Sequence, residues 1–230
     1  MPELIQFKNL DFVYPHSTVP ALSGVNMTIS EGDYVAIVGT SGSGKSTLLS
    51  ILGLINEPSS GQYLLLDTNV TDLTQQSVAK LKNAEIGLIF QNFNLLGHLT
   101  VYQNVCLPLT YNASVSRKEY REKVVSVLQL VGMEDYLTRY PRELSGGQQQ
   151  RIAIARAIVN DPSLILADEP TGNLDTSNAE IIFDILESLN KAGKTICLIT
   201  HDIQFARRAK VQYTIKDGRL THAKSEVDNA

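Results

Sequence analysis

The sequence predicts an α/β fold built on a largely parallel sheet and interrupted by a mainly helical lobe. Three observations carry this. Short, almost wholly apolar runs at 34–38, 164–167 and 195–199 read as strands covered on both faces. Stretches with apolar residues at helical spacing alternate with strands. A glycine-rich segment, 39–44, lies between a strand and a helix. The 230 residues, 43% hydrophobic and 19% charged, suit one domain or two lobes sharing a core, and exclude a disordered, collagen-like or coiled-coil chain.

In chain order, residues 3–14 read as a strand, and 25–30 and 34–38 as two more with Glu31-Gly32-Asp33 as the turn between them. A helix is expected from about 45 to 54, then strands at 62–66 and 86–90. From about 92 to 150 the pattern becomes helical. Ser116-Arg117-Lys118-Glu119 reads as a capping box ahead of Val124, Val127, Leu128 and Val131. After the strand 164–167, a helix with Ile181, Ile185 and Leu189 on one face opens at a second box, Ser177 to Glu180, and leads to the strand 195–199. One domain follows, with 1–90 and 151–220 as the core, about 92–150 as the helical lobe, and 221–230 as a polar, frayed tail.

The segment Gly39-Thr40-Ser41-Gly42-Ser43-Gly44-Lys45-Ser46 matches G-x-x-x-x-G-K-[ST] in the strand–helix setting that the motif requires. Its glycines let the backbone curl so that N–H groups converge on phosphate, at the positive end of the new helix. Lys45 is a point charge for the β and γ phosphates, the Ser46 hydroxyl a hard ligand for Mg²⁺, and Thr47 a donor to the α-phosphate. The motif predicts nucleoside triphosphate binding. Asp168 and Glu169 end an apolar strand, where α/β sheets bind ligands. Asp168 suits Mg²⁺, through water, and Glu169 suits a general base. Ser145-Gly146-Gly147-Gln148, opening a helix with Ile152, Ala155 and Val159 on one face, forms a second anion site. One ATP does not need two such sites in one chain, so this one is expected to face the γ-phosphate of ATP held by another subunit.

The charge balance, 20 Lys+Arg against 24 Asp+Glu, gives a formal net charge of −4 and disfavours a nucleic-acid partner. No run approaches the ~20 apolar residues of a membrane span, and Met1-Pro2-Glu3 lacks the start of a signal peptide. A soluble, cytoplasmic chain with Cys106 and Cys197 as buried thiols is expected.

Taken in order, these motifs resemble those of the ATP-binding cassette (ABC) ATPases over nearly the whole chain. The resemblance implies a P-loop core with an N-terminal antiparallel β part and an inserted helical lobe. It implies that Tyr14 stacks on adenine, that Gln91 contacts Mg²⁺ and senses nucleotide, and that 144–148 is the signature. Asp168 and Glu169 match the Walker B pair, Asn173-Leu174-Asp175 the D-loop, and His201 the switch histidine. Glu169, His201, Lys45 and Gln91 are then catalytic, Ser46, Gln91 and Asp168 serve the metal, and ATP and Mg²⁺ are the cofactors. Such chains dimerise head to tail, as a homodimer or with a similar cassette, around two ATP.

Finer resemblance, carried by 167–175, 91–96 and 140–144, is to the group containing MacB-type exporters, LolD-type lipoprotein releasers and FtsE-type division ATPases. It implies an integral membrane partner at the cytoplasmic face of the inner membrane, with a MacB- or LolD-like system favoured and a periplasmic membrane-fusion protein as a further partner. The alternative is an FtsE-like regulator that moves no cargo. Phe93, Leu95, Leu96 and Leu99 read as a loop that either turns inward as core or lines a groove for that partner.

Overall fold

In the computed structural model, which describes residues 2–223, β1 (Glu3–Phe12) pairs antiparallel with β2 (Leu22–Ser30), Gln6 standing opposite Thr28. The turn at 31–33 does not close a hairpin. It carries the chain from this sheet into a second one, which β3 (Tyr34–Val38) enters. Helix α1 (Lys45–Leu52) follows, and β4 (Ser60–Leu65) returns to the far side of β1 with the short β5 (Thr68–Asn69) beyond it. Helix α2 (Gln75–Glu85) runs straight into β6 (Ile86–Phe90). Helices α3 (Val101–Cys106), α4 (Tyr120–Leu130) and α5 (Gly146–Ile158) come next, then β7 (Leu164–Asp168), α6 (Thr176–Lys191), β8 (Thr195–Ile199) and the one-turn α7 (Ile203–Ala206). A closing hairpin joins β9 (Val211–Lys216) to β10 (Arg219–Ala223).

The first sheet has the order β2-β1-β4-β5 and the second β10-β9-β3-β8-β7-β6, in which every pair except β9–β10 is parallel. Side-chain alternation along the central strands builds two cores. Val35, Ile37, Leu164, Leu166, Cys197 and Ile199 face α1 and the antiparallel sheet. Their neighbours Tyr34, Ala36, Ile165, Ala167, Ile196 and Leu198 face the α3–α6 side. This explains the unbroken apolar runs, since a strand buried on both faces has no polar position. Each fully buried aliphatic side chain there contributes about 1.5–3 kcal/mol. Among the described residues no helix is long and apolar enough to cross a membrane.

The structure moves several local expectations. Helix α6 is capped by Asp175, whose carboxylate accepts the Asn178 N–H at 2.8 Å, so the cap lies two residues before Ser177. Its buried stripe is Ala179, Ile182, Phe183 and Leu186, while Ile181 is exposed. At 116–119 only half a box forms: the Glu119 carboxylate accepts from Ser116 N–H, without the reciprocal side-chain bond, and α4 starts at Tyr120. Residues 221–223 of the expected tail are in β10, and 224–230 lie outside the described residues.

Candidate functional site

Four neighbouring parallel strands, β3, β8, β7 and β6, end at one level, because Phe90 pairs with Asp168, Asp168 with Ile199, and Ile199 with Ile37. The residues just past these ends are therefore brought together: the 39–44 loop after β3, His201 after β8, Glu169 after β7 and Gln91 after β6. This carboxyl edge is where sheets of this type hold ligands.

The loop from Gly39 to Gly44 is shaped by its glycines. A Cβ on Gly39 would lie 2.5 Å from the Ile215 carbonyl oxygen, and Gly44 sits at φ 108°, which side chains rarely adopt. The Lys45 ammonium donates to the Gly39 and Thr40 carbonyls, both at 2.8 Å, which fixes it along the loop. The N-terminus of α1 has no side-chain cap, so its first-turn N–H groups are free of one, and the buried Ser43 hydroxyl has no partner among the described residues. Uncapped donors at a helix start with no acidic residue in its first turn make an anion cradle. Beside it, a cavity of about 530 Å³ is lined by Tyr14, Val19, Pro20, Ser41, Thr47 and Asp217 among others. Tyr14 stands edge-on to Phe12, its hydroxyl 3.0 Å from Thr47 Oγ1.

Glu169 has a left-handed backbone, φ 44°, uncommon for a residue with a side chain. It is pinned by its N–H to the Ile199 carbonyl at 2.9 Å and by the Gly172 N–H to its own carbonyl at 3.0 Å. Its carboxylate reaches His201 Nδ1 at 2.9 Å through Oε1, and accepts the Thr200 hydroxyl at 3.3 Å through Oε2. Burial first, and then the adjacent Glu169, raise the Asp168 carboxyl above the usual carboxylate range, with Lys45 opposing them. Gln91 is tied to the following loop: Gln91 Nε2 donates to Asn173 Oδ1 at 3.4 Å, and Asn173 Nδ2 returns a bond to the Gln91 carbonyl at 3.2 Å.

Ser145 and Gln148 form a capping box on α5. The Ser145 hydroxyl accepts from Gln148 N–H and the Gln148 amide accepts from Ser145 N–H. Ser145, Gly146, Gly147 and Gln148 make no hydrogen bond to the 39–47 loop among the described residues. Their neighbours are Leu174, Phe93, Asn178 and Tyr136. Asp175 likewise caps α6 rather than reaching the loop. The structure thus gathers Tyr14, the loop with Lys45, Ser46 and Thr47, and Gln91, Asp168, Glu169 and His201 along one edge, while 145–148 and 175 make no hydrogen bond to that loop among the described residues. Sequence reasoning missed Thr200, which is buried, donates to Glu169 and accepts the Asp202 N–H at 3.0 Å. A hydroxyl ending an otherwise apolar strand was its signal.

The residues fit a nucleotide with a divalent ion. The loop brings the Lys45 ammonium and the uncapped N–H groups at the start of α1, while Ser46 and Asp168 supply hard oxygens. No group of three His, Cys, Asp or Glu able to hold a metal occurs among the described residues, so an ion here would share phosphate oxygens.

The family model described as "ABC transporter" matches residues 22–172, more than half of the chain. The chain belongs to the ABC transporter family. The matched region of the cassette includes the 39–47 loop, Gln91, the 145–148 cap and the Asp168–Glu169 pair, and leaves Tyr14 and His201 outside. A "Macrolide export ATP-binding/permease protein MacB" of Syntrophobacter fumaroxidans is 47% identical over 87% of this chain, which spans 28% of that protein. The cassette thus covers only about a third of the length of the MacB relatives it matches. By contrast, YknY of Bacillus subtilis, an uncharacterized ABC transporter ATP-binding protein, is 42% identical over 96% of this chain and 97% of its own. Among solved structures, a dimeric post-hydrolysis state of the ATP-binding cassette MJ0796 bound to ADP and Pi superposes with TM-score 0.88. It is 39% identical and covers 96% of this chain and 99% of its own. The fold is that of an ABC ATPase cassette, as the motifs implied.

Proposed function

We propose that this chain hydrolyses ATP between two head-to-tail cassettes and uses the cycle to drive a membrane partner of an export or lipoprotein-release system. The observation that carries the reading is the convergence of Lys45, Asp168, Glu169 and His201 at neighbouring strand ends, with Glu169 and His201 2.9 Å apart. Tyr14 stacks on adenine, and the backbone of Gly39, Thr40, Ser41, Gly42, Ser43 and Gly44 surrounds the phosphates with Lys45 and Thr47. Ser46, Gln91 and Asp168 would hold magnesium, which when bound would neutralise phosphate charge.

Glu169 takes the proton of the attacking water. Its carboxylate is held at Oε2 by the Thr200 hydroxyl and at Oε1 by the His201 ring, which fixes its direction before substrate arrives. With Nδ1–H donating to Glu169, the His201 ring has a second N–H for the γ-phosphate only as an imidazolium. The dimer reading rests on the separation of Ser145, Gly146, Gly147 and Gln148 from their own loop, and on the dimeric neighbour. Their helix end, where the Gly146 and Gly147 N–H groups lie outside the capping box, serves the opposite ATP, and Asp175 is the D-loop residue of the same interface.

The partner reading rests on the segment after Gln91. Leu95 packs on the core while Leu96 is exposed, and neither is fully buried. Next to them, a groove of about 390 Å³ is lined by Phe90, Asn94, Leu107, Pro108, Ala157 and Asn160 among others. A short amphipathic helix of a membrane protein at the cytoplasmic face suits such a groove. The MacB relatives, named for macrolide export, support the export reading; a periplasmic membrane-fusion protein is a further partner proposed from the resemblance of the motifs. Glu169→Gln tests the hydrolytic core. Turnover should fall about 10²–10⁴-fold, and ATP should trap a dimer visible by size-exclusion chromatography. Near-normal hydrolysis would remove Glu169 from the role.

A further inference from the structure

His201 sits on a segment that cannot hold its own shape. Its backbone is tied to β3 at both ends, by Thr200 N–H to the Ile37 carbonyl at 3.3 Å and by Lys210 N–H to the Tyr34 carbonyl at 2.9 Å. Between these ties lies α7, four residues long. A helix that short is not stable alone and depends on tertiary contacts. The His201 ring is largely exposed and its one side-chain bond is to Glu169.

Phe205 docks this segment on α6 by stacking on Phe183, and Arg208 adds the ionic contacts between them. Its guanidinium bonds the Glu180 carboxylate, lies 3.4 Å from Glu187 Oε1, and lies 3.7 Å from Asp184 Oδ1. It also sits over two rings, 5.7 Å from the centre of Phe183 and 5.2 Å from that of Phe205, which stack on each other at 3.6 Å. Glu180, Phe183, Asp184 and Glu187 form one stripe of α6, whose first turn is capped by Asp175. Without a cation, three carboxylates one turn apart would repel each other. Arg208 thus joins the segment carrying His201 to the helix that starts at Asp175.

We propose that Arg208 is a positioning residue for ATP hydrolysis, clamping the 201–208 segment to α6 so that His201 and Asp175 move as one unit. This rests on the reading of Glu169 and His201 as the hydrolytic residues. Nothing in the clamp touches the nucleotide cavity, so its loss should act on turnover and leave ATP binding alone.

The test uses the full chain with Arg208→Met, Arg208→Lys and Glu180→Gln. It measures steady-state hydrolysis over a range of ATP, binding of a fluorescent ATP analogue, and amide exchange. Met keeps the apolar contact with the two rings and removes the ion pairs. Arg208→Met should lower kcat about fivefold or more with KM and analogue affinity within about twofold, and should speed exchange at 201–208. Arg208→Lys should recover a good part of the loss. Glu180→Gln, at an exposed carboxylate that the fold tolerates losing, should lower kcat and add nothing to Arg208→Met. Unchanged kcat in Arg208→Met with only a lower Tm would make the clamp structural and overturn the proposal. So would full kcat in Glu180→Gln if Arg208→Met unfolds. Normal turnover in Glu169→Gln would instead sink the hydrolytic reading itself, which separates the two failures.

Discussion

Arg156 holds the loop after Gln91 in a conformation it would not choose alone. Phe93 and Asn94 are consecutive residues at φ 58° and 51°. For L-residues each such position costs roughly 1–2 kcal/mol, less for Asn than for a bulky aromatic. Against this, Arg156 Nη2 donates to the Phe93 carbonyl at 2.8 Å and Nη1 to the Asn94 carbonyl at 2.5 Å. Hydrogen bonds from a charged donor contribute about 1.5–3 kcal/mol each. Part of that is offset by burial, which lowers the Arg156 pKa. The surplus is small, so the loop is poised. Arg156→Met removes both bonds and leaves the backbone cost, shifting the loop's opening equilibrium by roughly 2–4 kcal/mol, or about 30- to 1000-fold.

Native-state hydrogen exchange reads this directly. Amides 92–96 should exchange at least about tenfold faster in Arg156→Met, while β7 and α6 keep their protection. Arg156→Lys, whose single ammonium lacks the planar fork that spans both carbonyls, should fall between. Unchanged exchange at 92–96 would refute the reasoning, because the loop would then be held by something other than Arg156. Uniform acceleration across the chain would show global destabilisation in place of a local latch.

Asp175 gives a pH prediction. The Asn178 N–H first, then the Ser177 hydroxyl and the Asn178 amide, hold its carboxyl down at about 2. A depressed carboxylate contributes stability above its ordinary pKa of 3.8, and that contribution fades as pH falls towards 2. Thermal melts between pH 7 and 2 should show a shallower acid limb for Asp175→Asn than for the parent, and identical limbs would contradict the cap's role. For the cysteines, burial raises the Cys197 thiol to about 12 and lifts Cys106 as well. An aromatic disulfide reagent should label neither in the native chain at neutral pH and both after denaturation, and rapid native labelling of Cys197 would be the contrary result.

The strand-end chemistry was legible because it is written in local sequence. The loop 39–44, Asp168–Glu169 and His201 each follow an apolar run, and the pairing register alone brings them level. The closing hairpin was missed although its signal was present. Asp217-Gly218, with both residues at positive φ, is a strong two-residue hairpin turn between β9 and β10. Helix α2 was harder to see, since none of its residues is fully buried and its apolar periodicity is weak. Ser177 looked like a cap because Glu180 follows at the right spacing. In the fold Glu180 turns to Arg208, and Asp175, whose extended backbone at φ −70° and ψ 165° suits a cap, takes it. A turn such as 31–33 does not say whether its two strands share a sheet.

What sequence could not supply is the set of contacts that hold the motif residues in place. Arg156 lies 62 residues from Asn94, and Arg208 lies 28 residues from Glu180. Neither has a spacing that marks it, because a long flexible cation can be delivered to its partner from any nearby element. Thr200 differs in kind. It is adjacent to His201, and its reach to Glu169 follows from β7 and β8 being neighbours, with Asp168 level with Ile199. Once the strand order is known, a hydroxyl at that position must lie beside whatever follows Asp168. The motif residues are thus fixed by chain order and the aiming of Glu169 by strand order, whereas the rigidity of the loops that carry Gln91 and His201 depends on two arginines that only the folded chain reveals.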